Sequence, residues 1–536
     1  MSRIVFDNAR PVVETDPARN DIALFVGLAR ATGTALPAAV LAWLQAHGWT
    51  DGPLARSTDP PFTDIPIPVE SYGTFTSLFD PGGSPSSYGT DYLAAAVRSF
   101  FAQGGRRCYV VRMGDPVTPA DIVLQAGTSG LQNKLTSLMP GDLYAADDRR
   151  SWHGVGHLGG LPEVSFVAIP DLPLLSASQA TVAVGTVPAV ITGPAQFVVC
   201  APESPEPPPT PLYSLPAPRL TPDDYAQRWA PSLQTILQYL STNGIRNIQL
   251  VAAFPMPQDL DPAAAIENPS STALAQDIHD VITSQMVENI PAGYDNDVPA
   301  GPGLSTAFLQ LTYPWLKTTG SGVLNESLEP PDGALVGLLA RNALTRGAFM
   351  DAVKVVPAEI FDLSPTLPAQ ELTVPVTAPV WGDNSWKPLI TRLSLFGFTS
   401  AGLRLLSDVT AYPGEAYRPA RVHRLVSVIC RAAQQLGERI VFANNGPALW
   451  RKVELTLGQL MTQLWQLNAL DGDTVQDAFS VRCDESTMTQ NDLDNGRMIA
   501  QVTFTAASTI DLIEVTLALE TSGASAQGIA VMAGAS

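Results

Sequence analysis

The chain has 536 residues, more than a single hydrophobic core organises, so about two to four domains are expected. Hydrophobic residues make up 45% and charged residues 15%, the balance of a well-packed soluble protein with low surface charge. The net charge of -20 is spread along the chain and excludes a phosphate-binding surface, so no nucleic-acid partner is expected.

Residues 1–20 read as an extended arm. Ile4, Val5 and Phe6, then Val12 and Val13, are apolar without a helical period, and Pro11 and Pro17 interrupt them. The folded body starts at 21–28 (DIALFVGL). Residues 36–49 form a short helix with Pro37 near its start. A proline-rich loop is expected over 59–68. Helices follow over 72–79 and 91–103, capped by Gly104 and Gly105, and a strand over 107–113. Further apolar strands fall at 164–169, 248–254 and 307–313, interleaved with helices over 222–241 and 272–288, so the middle of the chain is α/β. Proline is too dense over 201–218 (APESPEPPPTPLYSLPAP) for a sheet interior or a helix, so this is a surface loop, with an SH3-type ligand as the alternative. Residues 367–382 form a second irregular connection.

The last quarter is the most regular. Residues 421–436 place Val422, Leu425, Val426, Ile429, Ala433 and Leu436 on one helical face. Residues 440–442 read as a short buried strand. Residues 447–467 form a second amphipathic helix with Pro447 near its start and Leu449, Trp450, Val453, Leu457, Leu460, Met461 and Leu464 on one face. After Gly472 come strands at 479–483, 498–505 and 513–519. In the last, Ile513, Val515, Leu517 and Leu519 alternate with Glu514, Thr516 and Ala518, which marks one buried face. The tail beyond Thr521 is rich in small residues and is expected to be mobile.

Catalytic constellations are weak. Neither a phosphate-binding Gly-x-x-x-x-Gly-Lys-Ser/Thr nor a Gly-x-Ser-x-Gly elbow occurs. His153 and His157 have the spacing of helix-borne metal ligands, but Gly154, Gly156, Gly159 and Gly160 oppose a helix there, and structural histidines are expected. His423 is expected to be a hydrogen-bonded packing residue. The acidic stretch 484–494 lacks the glycine and closing glutamate of a calcium loop and reads as a solvated loop. Cys108, Cys200, Cys430 and Cys483 show no metal spacing and read as buried thiols in a reducing cytosol. No catalytic residue, cofactor or metal is expected. No run reaches the ~18 apolar residues of a membrane span, and MSRIVFDNARPVVETD lacks a signal-peptide core.

An ordered set of motifs then resembles one family. ARVHRL, IVFANNGPALW, LNALDGD and FSVRCDESTMTQNDLDNGRMIAQVTFTAASTIDLIEVTLAL, in that order, resemble the sheath protein of contractile phage tails and of related phage-tail-like injection systems. PIPVESYGTFTSLF with LAAAVRSFFAQGGRRCYVVRM, and LTYPWL with ALVGLLARNALTRG, agree with it further upstream. WHGVGHLGGLPEVSFVAIPDL and the 36–49 helix are similar to the extracellular injection-system branch.

The resemblance implies a multidomain α+β and α/β tail-sheath fold. Its core is built from N- and C-terminal segments, with strand arms at both ends. The expected layout is an arm over 1–20, a body over 21–113, an inserted α/β outer domain over 114–333, a tube-facing C-terminal body over 334–508, and a C-terminal arm and tail over 509–536. The implied function is a structural subunit that polymerises around an inner tube and contracts from a metastable state. The alternative is an enzyme or carbohydrate-binding surface protein using the α/β middle.

Implied partners are other copies of the chain, an inner tube protein, baseplate and cap proteins, and sheath paralogues. The implied inter-subunit strands carry Ile4, Val5, Phe6, Val12 and Val13 at one end and Ile510, Ile513, Val515, Leu517 and Leu519 at the other. The N-terminal arm departs from the family's Pro-Gly-Val-Tyr beginning. Arg451, Lys452 and Glu454 fall on the implied tube-attachment helix. Assembly in the cytoplasm is expected, in a particle that is released or membrane-anchored.

Overall fold

A computed structural model describes residues 20–32, 36–49, 62–79, 91–118, 129–141, 144–145, 148–178, 183–186, 211–214, 216–257, 304–366, 389–412, 414–440, 445–494, 497–507, 512–520 and 523–532. The N-terminal arm, the expected helix at 272–288, the connection at 367–382, Cys200 and Ile510 lie outside them.

The body begins with β1 (Ala23–Gly27), buried throughout, followed by α1 (Ala38–Ala46) and β2 (Pro66–Val69). Helices α2 (Tyr72–Leu78) and α3 (Tyr92–Ala102) are each started by a side-chain cap, Ser71 accepting from Thr74 N and Asp91 from Ala94 N. Past the end of α3, Gly104 takes φ +104, the left-handed turn that the Gly-Gly pair predicts. The chain continues through β3 (Cys108–Arg112), α4 (Ser129–Leu138), β4 (Phe166–Ala168) and α5 (Leu172–Ser176). Next come β5 (Ala183–Thr186), β6 (Pro211–Ser214) and β7 (Arg219–Leu220). Helix α6 (Ala230–Thr242) is preceded by the turn Pro222–Asp224 and a π-helical turn, Tyr225–Trp229. Then follow β8 (Gln249–Ala253), β9 (Met256–Pro257), β10 (Leu309–Tyr313), β11 (Trp315–Thr318), α7 (Asp332–Thr345), β12 (Ile360–Ser364), β13 (Ser394–Thr399) and β14 (Gly402–Leu405).

Eight of these strands form one sheet in the order β14-β13-β10-β8-β4-β1-β3-β2. The pairings from β3 to β13 are parallel, while β2 and β14 close the two edges antiparallel. Strands β1, β4, β8 and β10 are buried at every position, as parallel strands covered on both faces must be. Helices α3 and α7 pack against each other on the sheet, α3 touching β1 and α7 touching β4 and β8.

The sheet crosses the expected boundary at residue 114. Strands β4, β8 and β10 of the middle region stand in the same sheet as β1 and β3, and β13 and β14 extend it from the C-terminal side. Parallel crossovers place these distant strands side by side.

The C-terminal part is built on α8 (Ala420–Ile440) and α9 (Pro447–Gln466). They lead to α10 (Val475–Ala478), β15 (Phe479–Arg482), α11 (Gln490–Asp494), β16 (Met498–Thr505), β17 (Leu512–Glu520) and β18 (Gly523–Met532). The four strands form an antiparallel sheet in chain order.

Several expectations are corrected here. Pro66–Val69 is a strand rather than loop; it lies at the sheet edge, where proline costs no ladder bond. Pro211–Ser214, inside the expected proline-rich loop, pairs with β5. Ile440 ends α8 instead of starting a strand, and 441–442 lie outside the described residues. Residues 490–494 of the expected loop are helical, with Thr489 N donating to Asp492 at 2.9 Å. The small-residue tail supplies β18, because a strand beside an already ordered partner needs backbone bonds more than large side chains.

Candidate functional site

The motif-rich C-terminal quarter is organised around α8. Buried residues fall on all sides of this helix, since it touches β17 and β18 and also reaches the body through His423, Arg424 and Arg431. Its polar residues make the second contact. Arg424 donates Nη1–H to Asp408 at 3.0 Å and Nε–H to the Ala348 carbonyl at 2.9 Å. Asp408 also accepts from Ala352 N at 2.9 Å and Gln310 Nε2 at 3.0 Å, which ties β10 and the segment after α7 to α8. Burial opposes the charge on Asp408, but Arg424 and these donors outweigh it and hold the carboxyl below its usual range.

Seven residues on, Arg431 donates to the Glu163 and Val164 carbonyls just before β4. Burial pushes its guanidinium down to about 10, still charged at neutral pH. His423 departs from expectation. It is buried edge-on against Phe308 at 5.0 Å, and among the described residues neither ring nitrogen has a hydrogen-bond partner. Burial, with Arg424 beside it, holds His423 down at about 3, so it packs as a neutral ring.

The expected strand-arm residues are divided. Ile513, Val515 and Leu517 are buried on one face of β17, as the alternation predicts. β17 is paired along both edges, with β16 (Phe504 opposite Ile513, Met498 opposite Leu519) and with β18 (Leu512 opposite Met532). The outer strands of this sheet are β15 and β18.

Arg451, Lys452 and Glu454 lie exposed near the start of α9, followed by Leu455, 61% exposed. The opposite face of α9 buries Trp450, Val453, Leu457, Met461 and Leu464. Exposed Gln459, Gln463 and Gln466 carry the outer face onward without charge.

The two spaced histidines meet on a residue that sequence spacing did not flag. Asp64 lies 2.7 Å from His153 Nδ1 and 2.8 Å from His157 Nε2, and accepts from Gly154 N at 3.0 Å. Asp64 adopts φ +59, a left-handed conformation that aspartate tolerates better than most residues. Burial favours its neutral form, yet these hydrogen bonds and the nearby His157 charge outweigh burial and hold the carboxyl well below the usual range. The 154–160 segment is a 3-10 helix. Among the described residues, no group of three or more His, Cys, Asp or Glu side chains is arranged to hold a metal ion. Cys108, Cys430 and Cys483 are buried and free.

The crevice where α/β sheets commonly bind ligands lies beyond the carboxyl ends of strands at a change of strand order, here between β1 and β4. Asp171 fills it. Its Oδ2 accepts from Leu28 N at 2.7 Å, and a Cβ on Gly27 would lie 2.3 Å from that oxygen. No helix of the described residues is long and apolar enough to cross a membrane.

No family model matches the sequence, and no curated protein matches it. Solved structures do. A chain of the anti-feeding prophage (AFP) baseplate in contracted state superposes with TM-score 0.54 at 17% identity, covering 94% of this chain and 93% of that one. A chain of the six-fold symmetrised AFP baseplate gives TM-score 0.50 at 16% identity over 94% of both chains. A chain of the AFP helical sheath in contracted state gives 0.48 at 15% identity, over 94% and 95%. The first two likenesses establish a shared fold over nearly the whole length. The shared fold is a mixed α/β architecture with a large parallel sheet.

Proposed function

We propose that this chain is a structural sheath subunit of a phage-tail-like contractile injection system. The carrying observation is the end-to-end likeness, 94% of this chain against 93% of a chain in a contracted AFP particle. Copies stack as rings or a helix around an inner tube, and terminal segments add strands to neighbouring sheets. Strand addition supplies main-chain hydrogen bonds that hold subunits together while their bodies rotate. Such interfaces are heterologous and propagate instead of closing. Contraction runs from a metastable lattice to a lower-energy one.

In this reading residues 1–20 and 509–536 are the linking arms. The available edges in the C-terminal sheet are those of β15 and β18, because β17 already has two partners. Residues 334–508 face the tube, with Arg451 and Lys452 of α9 making electrostatic contacts to it. The parts of 114–333 outside the shared sheet lie outward. Baseplate, cap and paralogous sheath subunits complete a particle that assembles in the cytoplasm and is then released or membrane-anchored.

Negative-stain electron microscopy of particles made with the neighbouring genes tests this. Striated tubes in long and in short, wider forms support the sheath. Small globular particles despite a co-expressed inner tube remove it. Charge reversal of both Arg451 and Lys452 that leaves tube and sheath assembled removes the attachment role.

A further inference from the structure

Three carboxylic acids are buried in the layer where α3 and α7 close over the sheet. Glu329 is 1% exposed, and Asp332 and Asp171 are fully buried. Glu329 precedes α7 and is reached by Ser99 Oγ of α3 and by Thr318 Oγ1 of β11, the latter at 2.9 Å. Asp332 opens α7, with Oδ1 accepting from Gly333 N at 2.8 Å and Oδ2 without a partner among the described residues. Asp171 follows β4, with Oδ2 accepting from Leu28 N and Oδ1 without a partner among the described residues. The helices meet closely, since a Cβ on Gly333 would stand 2.4 Å from Ala96 Cα.

The surroundings do not neutralise these acids. Arg98 of α3 acts on Glu329 from a distance, while its guanidinium is held by Thr319 at 3.1 Å and Glu359 at 3.5 Å. Tyr72 of α2 is within electrostatic reach of Glu329. Asp171 feels the like charges of Asp91 and Asp332 and, against them, the cation of Lys134 of α4. Tyr92 of α3 adjoins Asp171, with Glu326 and Arg219 beyond it, and those two are paired with each other at 2.9 Å. None of the three acids forms an ion pair among the described residues. An ionised carboxylate so placed is strongly disfavoured, and the neutral acid is the form that fits.

We infer that this layer is a proton-dependent lock: α3 and α7 close with Glu329, Asp332 and Asp171 neutral, and their packing loosens when these acids ionise. The inference is independent of the sheath reading. Burial is the leading cause in each case. It lifts Glu329 to about 7 despite its two hydroxyl donors, Asp332 to about 7 despite its helix-terminal amides, and Asp171 well above the carboxylate range. Because the folded values are raised, the stability these groups supply is complete below the ordinary carboxylate pKa and is lost as pH rises through neutrality. For Glu329, moving from 4.5 unfolded to about 7 folded raises the unfolding equilibrium constant on the order of 100-fold between about pH 5 and pH 9.

The test is urea unfolding of the full chain across that range, followed by tryptophan fluorescence, for the wild type and Glu329→Gln. A permanently neutral amide keeps the shape and removes one titration. The wild-type midpoint is expected to fall with rising pH, and Glu329→Gln to fall less. A flat wild-type profile, or equal slopes in both proteins, overturns the lock. Should Glu329→Gln not fold, the wild type alone decides through infrared spectroscopy and hydrogen exchange. A protonated-carboxyl band at about pH 6 that vanishes by about pH 9, with faster intrinsic-rate-corrected exchange in α3 and α7 peptides, supports it. Absence of that band, or unchanged exchange, overturns it.

Discussion

Replacing Gly337 by alanine is expected to destabilise the protein, whereas the same change at Gly458 is expected to stabilise it. Both glycines lie inside long helices, α7 and α9. Intrinsic helix propensity alone favours alanine over glycine by about 1 kcal/mol at either site. The surroundings decide the sign. A Cβ at Gly337 would stand 2.6 Å from the Phe100 carbonyl oxygen, 2.7 Å from Gln103 Cβ and 2.9 Å from Phe100 Cα. Two of those atoms are α3 backbone and cannot swing aside. Relieving the contacts to an ordinary ~3.5 Å requires the helices to part by nearly an ångström, which also forfeits part of the dispersion contact between their faces. Overpacking of this kind costs about 1–3 kcal/mol, and more where backbone must move, so the propensity gain is offset and a net loss of about 1–2 kcal/mol remains. At Gly458 nothing lies within 4 Å of the added carbon, and the propensity gain of about 1 kcal/mol stands uncancelled.

Gly333 stands one turn before Gly337 and meets Ala96 through backbone atoms at 2.4 and 2.5 Å. The double replacement should cost less than the sum of the singles, because the displacement forced by the first makes room for the second. Urea unfolding followed by circular dichroism measures all four variants. A rise in midpoint for Gly337→Ala comparable to that for Gly458→Ala would refute the close approach of α3 and α7.

Three further outcomes follow from buried polar groups. Asp408→Ala strands the Arg424 guanidinium and is expected to cost about 3–5 kcal/mol in urea unfolding, with much of the loss recovered when Arg424→Met is added; an additive double mutant would contradict the pairing. Asp64→Asn keeps a residue that tolerates the left-handed backbone but removes the charge, for an expected loss of about 1–3 kcal/mol near neutral pH. Because the folded Asp64 carboxyl lies below its ordinary value of 3.8, its contribution is present above that value and disappears as pH falls through the lower folded one. The gap in melting temperature between wild type and Asp64→Asn should therefore close in strong acid, and a constant gap would count against the clamp. Burial raises the Cys108 thiol and pushes Cys430 and Cys483 up to about 12, so peptide-mapped alkylation should leave all three unmodified until denaturant is added.

How far the fold was legible in sequence depended on whether its signal was local. The apolar face of 421–436 and the alternation of Ile513, Val515 and Leu517 are periodic over a few residues, and α8 and β17 appear where the periods put them. Caps were equally local, as at Gly104 and Pro447. Strand order was not legible. Nothing near Phe166 says that it pairs with Ala23 on one side and Gln249 on the other. The corrected stretches share a cause: Pro66–Val69, Pro211–Ser214 and Gly523–Met532 have poor intrinsic strand preference and are strands through their partners. The partner of the two histidines is another long-range case, since Asp64 lies 89 residues before His153. A local signal that could have been read was Gly333 and Gly337 on one face of a helix, the pattern of close helix contact.

In the proposed assembly, load on β17 or β18 would pass to α8, which both strands touch directly. An apolar interface resists separation but tolerates sliding, since one methyl contact replaces another. Arg424 and Arg431 change that response. Arg424 is locked to Asp408 by its guanidinium geometry, and Arg431 to two successive carbonyls before β4. Sliding α8 by even a fraction of a turn would strand a buried cation without acceptors, a penalty of about 3–5 kcal/mol. Buried ion pairs contribute little net stability compared with apolar packing, but they fix one register. In the proposed sheath, that fixed register would let the C-terminal sheet and the body turn as a unit instead of shearing along α8.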